Sequence, residues 1–346
     1  MDELIIAGQR MEPGSRQVVK LPVTQDICMS VDIYAHVVAG RSEGPTLLLL
    51  SMLHGNEWFS VLILRELLRR IDPLRLAGNV IAVPVANPSA LMTGSRCILD
   101  DSDEPDANRT FGGIYEWTTN QITRVIEKEL FPGTDYLIDY HVSDWGSTMA
   151  DVSYTADHSN ADVTEKSRAM AVAYGFPVLH ALRIFSGLRG PRTSLGYAGE
   201  KFKIPGIVAG VGGLGFGEAR EADWLKENVE GTLGVMKQLH MVEGTPKYCE
   251  RYLRIDDYWR VSPRVGGYLE PVVGLDRQFT EVAQGELLAR VTSPTSFEII
   301  EELLSPGRGT IFYTCRPYMV RPGAWAFGVA DAERSEWMSV SREPTR

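Results

Sequence analysis

From Thr46 to Leu53 the chain reads TLLLLSML, an apolar run with almost no polar break. A strand with one solvated face would alternate, so a run of this kind suits a strand buried on both faces of a parallel sheet. Similar short runs recur at Asn79–Val85, Tyr136–Tyr140 and Gly206–Val211. Helical periodicity fills the intervals over Trp58–Ile71, Thr118–Leu130, Thr164–Tyr174 and Glu218–Met241. Strands alternating with helices of this length predict an α/β domain with a mainly parallel sheet and a ligand site at the carboxyl ends of its strands.

After about Gly244 the texture changes. Short β-rich pieces separated by Gly and Pro turns follow, as in RVGGYLEPVVG, EVAQGELLARVT, GTIFYTC and VRPGAWAFGVA. We therefore expect two domains, an α/β domain over residues 1–245 and a smaller β-rich, barrel-like one over 246–346. A chain of 346 residues with 44% hydrophobic residues is long enough for both cores. The balance of 35 Lys+Arg against 45 Asp+Glu, a formal charge of -10, provides no basic field for nucleic acid or anionic lipid. The first residues, MDELIIAGQRMEPGS, have no basic flank before a long apolar run, and no later run approaches the ~20 residues that span a bilayer. The expectation is a soluble, cytoplasmic protein. Cys28, Cys97, Cys249 and Cys315 form no C-x-x-C pair and read as buried thiols. An exposed edge in the β-rich region could mediate self-association into a homo-oligomer.

Only six histidines are present, and two of them end apolar runs. His54 follows the first, and Glu57 lies three residues on, where a helix begins. Residues i and i+3 face the same side of a helical turn, so imidazole and carboxylate can converge on one cation; a capping His and a solvated Glu explain the pair equally well. His141 ends YLIDYH and follows Asp139, a plausible hydrogen-bond acceptor for a ligating imidazole. Two strand ends then supply His₂Glu, a catalytic zinc arrangement with one open position. The alternative for His141 is a satisfied core histidine. Between these ligands lie Asn87-Pro88, Arg96 and the hexapeptide Asp106-Ala107-Asn108-Arg109-Thr110-Phe111. An Arg offers a planar fork for a carboxylate, and a second Arg or an Asn can hold a carbonyl oxygen as charge develops; each Arg alone also fits a solvated loop.

In order and spacing these motifs resemble the succinylglutamate desuccinylase/aspartoacylase branch of the zinc carboxypeptidases. His54-Gly55-Asn56-Glu57 is similar to that family's H-G-x-E, and Asn87-Pro88 to its N-P. Asp106–Phe111 is similar to D-L-N-R-x-F, and Asp139-Tyr140-His141 to D-x-H. The resemblance runs through most of the first 245 residues and includes an appended barrel-like β domain. It implies a zinc-carboxypeptidase-like fold and one Zn²⁺ per chain on His54, Glu57 and His141. It also implies that Asn108 and Arg109 bind the carboxylate of a small substrate, and that Arg96 helps polarise the scissile carbonyl. The implied activity is zinc-dependent hydrolysis of the amide C–N bond of a small N-acyl amino acid or related carboxylate-bearing amide.

One position departs from the family pattern. A glutamate is expected near the end of a late strand, in G-I-P-x-x-x-x-E-x-G-G, but Ile204–Gly215 reads IPGIVAGVGGLG and places Gly210 there. Loss of a proton carrier is worth about 10²–10⁴ in rate. Glu218 or Glu221, just beyond the turn, could replace it, with Glu218 the assigned candidate; ordinary first-turn helix acids explain them equally well. The alternatives are a zinc-dependent lyase, whose substrate carries the proton, and a ligand-binding homologue without turnover. The run Gly210–Gly215 also matches G-x-G-x-x-G, a dinucleotide-binding pattern, but the residues that should form its following strand read as helix, and a crowded turn explains the glycines more simply. Arg183, Arg189 and Arg192 cluster where a loop could reach an anionic substrate, Trp145 could wall an acyl pocket, and the acidic stretch Asp100–Glu104 could attract an amine. Solvated loops or core packing account for each of these as well.

Overall fold

The computed structural model describes residues 4–99, 106–143, 147–156, 159–183 and 192–339. Trp145, Arg189 and the stretch Asp100–Glu104 lie outside the described residues, and so does the side chain of Arg183. The centre of the protein is one large mixed sheet. Its strands are β1 (Ser15–Gln25), β2 (Ser30–Ala39), β3 (Ser42–Ser51), β4 (Ala77–Val83), β5 (Tyr136–Tyr140), β6 (Ser147–Ala156), β7 (Val178–Arg183) and β8 (Gly206–Gly212). Their spatial order is β1-β2-β4-β3-β5-β8-β6-β7. The four inner strands β4, β3, β5 and β8 are mutually parallel. Antiparallel partners flank them on both sides, β2 against β4 and β6 against β8.

The four apolar runs of the sequence are these inner strands, and side-chain alternation divides each between two cores. Leu47, Leu49, Ile138, Tyr140, Ile207 and Ala209 face one side, where α1 (Phe59–Arg70), α4 (Ala161–Tyr174) and α6 (Glu218–Gln238) pack through Ile63, Met170 and Trp224. Leu48, Leu50, Ile81, Val83 and Leu137 face the other, against Ile122 and Ile126 of α3 (Thr118–Glu129) and Leu195 of α5 (Ser194–Tyr197). The short α2 (Pro88–Thr93) starts at Asn87, whose side chain accepts from the Ala90 amide, with Pro88 in the first turn where its missing N–H costs nothing.

The β-rich region is built into the same sheet. β9 (Tyr252–Ile255) runs parallel to β7, and the end of β10 (Gly309–Cys315) pairs with Ser147 and Thr148 of β6. Strands Phe327–Asp331 and Tyr258–Val261 extend the sheet beyond β10. A separate four-stranded antiparallel sheet comprises Gly267–Pro271, Leu287–Thr292, Ile299–Leu304 and Tyr318–Val320, with Leu269, Leu288 and Val291 in its core.

Candidate metal centre

His54 and His141 lie just past the carboxyl ends of the neighbouring parallel strands β3 and β5. The chain leaves β3 through Met52, held in the left-handed region at φ 54°, and this turn sets the entry to His54-Gly55-Asn56-Glu57. Gly55 has to be glycine: a Cβ there would come 2.1 Å from the backbone of Ala90 in α2. The N-P segment and the ligand loop are therefore packed against each other.

His54, Glu57 and His141 are 1%, 5% and 7% exposed, and each offers a ligand atom within 4.8 Å of the others. His54 Nδ1 is 2.7 Å from Glu57 Oε1 and 3.1 Å from His141 Nδ1. His141 Nδ1 is 3.1 Å from Glu57 Oε2, but this contact lacks hydrogen-bond geometry, and Oε2 is buried with no hydrogen-bond partner. The far nitrogens are held by other carboxylates. His54 Nε2 lies 3.0 Å from Asp106 Oδ1, and His141 Nε2 lies 2.9 Å from Asp139 Oδ2. Protons on Nε2, donated to these carboxylates, leave both Nδ1 lone pairs facing each other and a buried carboxylate. That set fits Zn²⁺, which takes imidazole and carboxylate ligands and whose histidines characteristically donate their second N–H to a carboxylate.

The electrostatics agree. Burial opposes the charge on Glu57, but His54 and His141 overcome it and bring its pKa down to about 2. Burial would likewise keep His141 neutral, yet Asp139 and Glu57 raise its pKa to about 10. Asp106, pushed up by burial, is held well below the usual carboxylate range by His54, Arg96 and Arg109. The cluster favours positive charge at its centre, carried by protons or by a cation.

The other residues singled out in the sequence divide into those at the cluster and those beyond it. Arg96 is exposed and joins the cluster, with Nη2 3.1 Å from Asp106 Oδ2 and Nη1 3.7 Å from Glu57 Oε1. Asn108 is buried. Its Oδ1 accepts from the Ser194 amide at 2.8 Å, and its Nδ2 lies 3.1 Å from His141 Nε2, which packs the amide against the imidazole ring. Arg109 is exposed and donates to the Asn108 carbonyl at 2.6 Å. Arg192, also exposed, accepts through its carbonyl from the Phe111 amide and so borders the same loop. Glu218 is exposed in the first turn of α6. Glu221 accepts from the amides of Gly215 and Phe216 and thereby fastens the glycine-rich turn. In that turn Gly212 has φ 94°, and a Cβ on it would come 2.9 Å from the Trp224 ring, so close packing accounts for the glycine. Beyond the turn the chain enters the 21-residue helix α6 and forms no strand of the kind a dinucleotide fold needs there.

Two contributions were not assigned from the sequence, the contact of Asp106 with His54 and the role of Ser194. Asp106 caps the Asn108 amide and holds His54 across 52 residues of chain. Ser194, from the start of α5, donates to Asp139 Oδ2 and steadies the carboxylate behind His141. The capping position of Asp106 was readable, but its reach to His54 was not.

Comparison with known proteins places this geometry. Residues 43–236, more than half of the chain, match the family model described as the succinylglutamate desuccinylase/aspartoacylase catalytic domain. An N-alpha-acetyl-L-2,4-diaminobutyric acid deacetylase from Halomonas elongata is 28% identical over 282 residues, covering 80% of this chain and 79% of that protein. The fold is shared with the product-bound ectoine utilization protein EutE (DoeB) of Ruegeria pomeroyi, at TM-score 0.77 and 23% identity over 92% of this chain and 95% of that one. It is shared also with a succinylglutamate desuccinylase/aspartoacylase from Rhodobacter sphaeroides, at TM-score 0.74 and 22% identity with the same coverage. The chain belongs to the succinylglutamate desuccinylase/aspartoacylase family.

Proposed function

We propose that the protein is a zinc-dependent deacylase that hydrolyses the amide bond of a small N-acyl amino acid, with His54, Glu57 and His141 holding the metal. The observation that carries this reading is the convergence of two Nδ1 atoms and a buried carboxylate, while Asp106 and Asp139 hold both Nε2 atoms. Bound zinc polarises an acyl carbonyl and makes the attacking water more acidic.

The remaining roles rest on position. Arg96 bridges Asp106 and Glu57 beside the metal ligands, where its guanidinium can receive the carbonyl oxygen as charge builds on it. Arg109, exposed on the adjoining turn, supplies a planar fork for the substrate carboxylate, and Asn108 beside it, held by the Ser194 amide, offers its own NH2 to the same carboxylate. For the proton carrier the sequence offers Glu218, exposed in the first turn of α6, and the central sheet offers buried carboxylates of its own. The named substrate of the Halomonas relative, an acetylated diaminobutyric acid, makes N-acetylated and N-succinylated amino acids the first panel to try. Among the described residues no helix is long and apolar enough to cross a membrane; a cytoplasmic location is part of the same proposal.

A second reading, a homologue that binds such ligands without hydrolysing them, is favoured by Gly210, which brings no carboxylate to the end of β8. Protein prepared without chelator is expected to carry about one zinc per chain and to release free amine from at least one member of the panel. Zinc without amine release selects the binding reading. A preparation that neither retains nor takes up zinc would sink both.

A further inference from the structure

Hydrolysis of an amide needs a group that takes a proton from water and gives one to the departing nitrogen. The strand registers show which carboxylate stands where such a group is needed. β5 and β8 pair Asp139 with Val208 and Tyr140 with Ala209, and the His141 amide donates to the Ala209 carbonyl, so Gly210 is level with His141. β8 and β6 pair Gly210 directly with Asp151. Residues in register on neighbouring strands project from the same face, and the His141 ring shares the face of Asp139, to which it is bonded. His141, Gly210 and Asp151 therefore form one row across the ligand face. Two strand spacings separate the backbones of His141 and Asp151, about 10 Å. Gly210, between them, has no side chain to block the approach.

Asp151 is 2% exposed and only partly satisfied. Oδ2 accepts from Ser153 Oγ at 2.7 Å, whereas Oδ1 is buried without a hydrogen-bond partner. An orphan carboxylate oxygen in such surroundings costs stability, and a role for it would explain its retention. Burial raises the pKa of this carboxyl above the ordinary range, the direction a general base at neutral pH requires. The groups facing it are His180 from β7, whose Nδ1 is 4.0 Å from Oδ2, and Tyr258, whose ring stands edge-on to His180.

We infer that Asp151, reaching over the bare Gly210 position, is the proton carrier of the deacylation proposed above. It takes a proton from water as the new C–O bond forms and delivers it to nitrogen as the C–N bond breaks. One amide and one water then become one carboxylate and one ammonium, with no oxidant or reductant involved.

This inference rests on the deacylase reading, and two measurements keep them apart. In zinc-loaded protein Asp151→Asn is expected to lower kcat by about 10²–10⁴ with KM little changed. Gly210→Glu added to Asp151→Asn should restore part of kcat, and a loss of rate in Glu218→Gln with none in Asp151→Asn would give the role to Glu218 instead. The second measurement needs no turnover: the Asp151 carboxyl is followed by carbon NMR in native zinc-loaded protein, with and without acetate as an acyl-product probe. A carboxylate probe beside Asp151 should raise its titration point further. Retained kcat in Asp151→Asn, or a titration indifferent to saturating acetate, overturns the assignment. Absence of amine release from every substrate, with Asp151 responding to acetate, instead overturns the deacylase reading.

Discussion

His141, at the end of β5, and His180, three strands away on β7, both lie near buried carboxylates of the same sheet, yet their charge states are driven in opposite directions. His141 has Asp139 at 2.9 Å and Glu57 at 3.1 Å, and the two carboxylates outweigh burial to raise its pKa. His180 has Asp151 at 4.0 Å, with Asp256 and Asp257 as more remote acids, and there burial prevails and lowers its pKa. The acids mirror the histidines: the pKa of Glu57 is lowered by its two imidazoles, and that of Asp151 is raised by burial. Burial is common to both groups and decides only one. The number of carboxylates within hydrogen-bonding distance separates a cluster that gathers positive charge from one in which burial weighs against charge.

The largest effect that would break this comparison is loss of the metal. His141→Ala should reduce bound zinc from about one per chain to none after dialysis, whereas His180→Asn should retain it, as measured by elemental analysis. Equal loss from both variants would mean that the two groups are not functionally distinct. Next in size is the carboxylate behind the ligand. Asp139→Asn should weaken zinc affinity by about 10–100-fold in a competition titration against a chelator, with Ser153→Ala unchanged. Unaltered affinity in Asp139→Asn would show that its bond to His141 is incidental to binding.

The smallest effect concerns acid. The pKa of His180 is lower in the folded protein than its unfolded value of 6.5, so the unfolded chain takes up the proton first. Native stability contributed here is complete above that value and is lost as pH falls below it. Asp151, raised in the fold, has the opposite sign: the folded chain takes its proton first, above the unfolded value of 3.8. Between pH 7 and 5, His180→Asn should therefore show a smaller fall in urea midpoint than the unmodified protein. A steeper fall would reverse the sign assigned to His180.

How far the site was legible depended on how locally each residue is placed. His54, Glu57 and His141 could be read because each follows or adjoins an unbroken apolar strand, and Asp139 because it precedes its histidine by two residues in the same strand. Asp106 and Ser194 meet their partners across 52 and 55 residues, a distance that no local pattern encodes. The fold divides in the same way. β3, β4, β5 and β8 are continuous apolar runs and appeared within a few residues of their observed bounds. β1, β2, β6 and β7 were not read as strands: β1 carries alternating polar residues and Pro22, and the inward-facing positions of β6 hold Asp151 and Ser153. A strand whose buried face is polar looks like a loop until its neighbours are known. The change of texture near Gly244 was visible, but the return of β9 and β10 to the central sheet depends on register, which composition does not carry.

That return has a consequence for the order in which the protein is made. When the ribosome has released residue 245, every proposed metal ligand and the helices around them have emerged. The outer edge of β7 still lacks Tyr252–Ile255, and Ser147–Thr148 of β6 still lack Thr314–Cys315. A nascent chain at that stage presents open strand edges to other nascent chains, a recognised route to aggregation. The last hundred residues, translated after all three ligands, act as the chain's own edge guard.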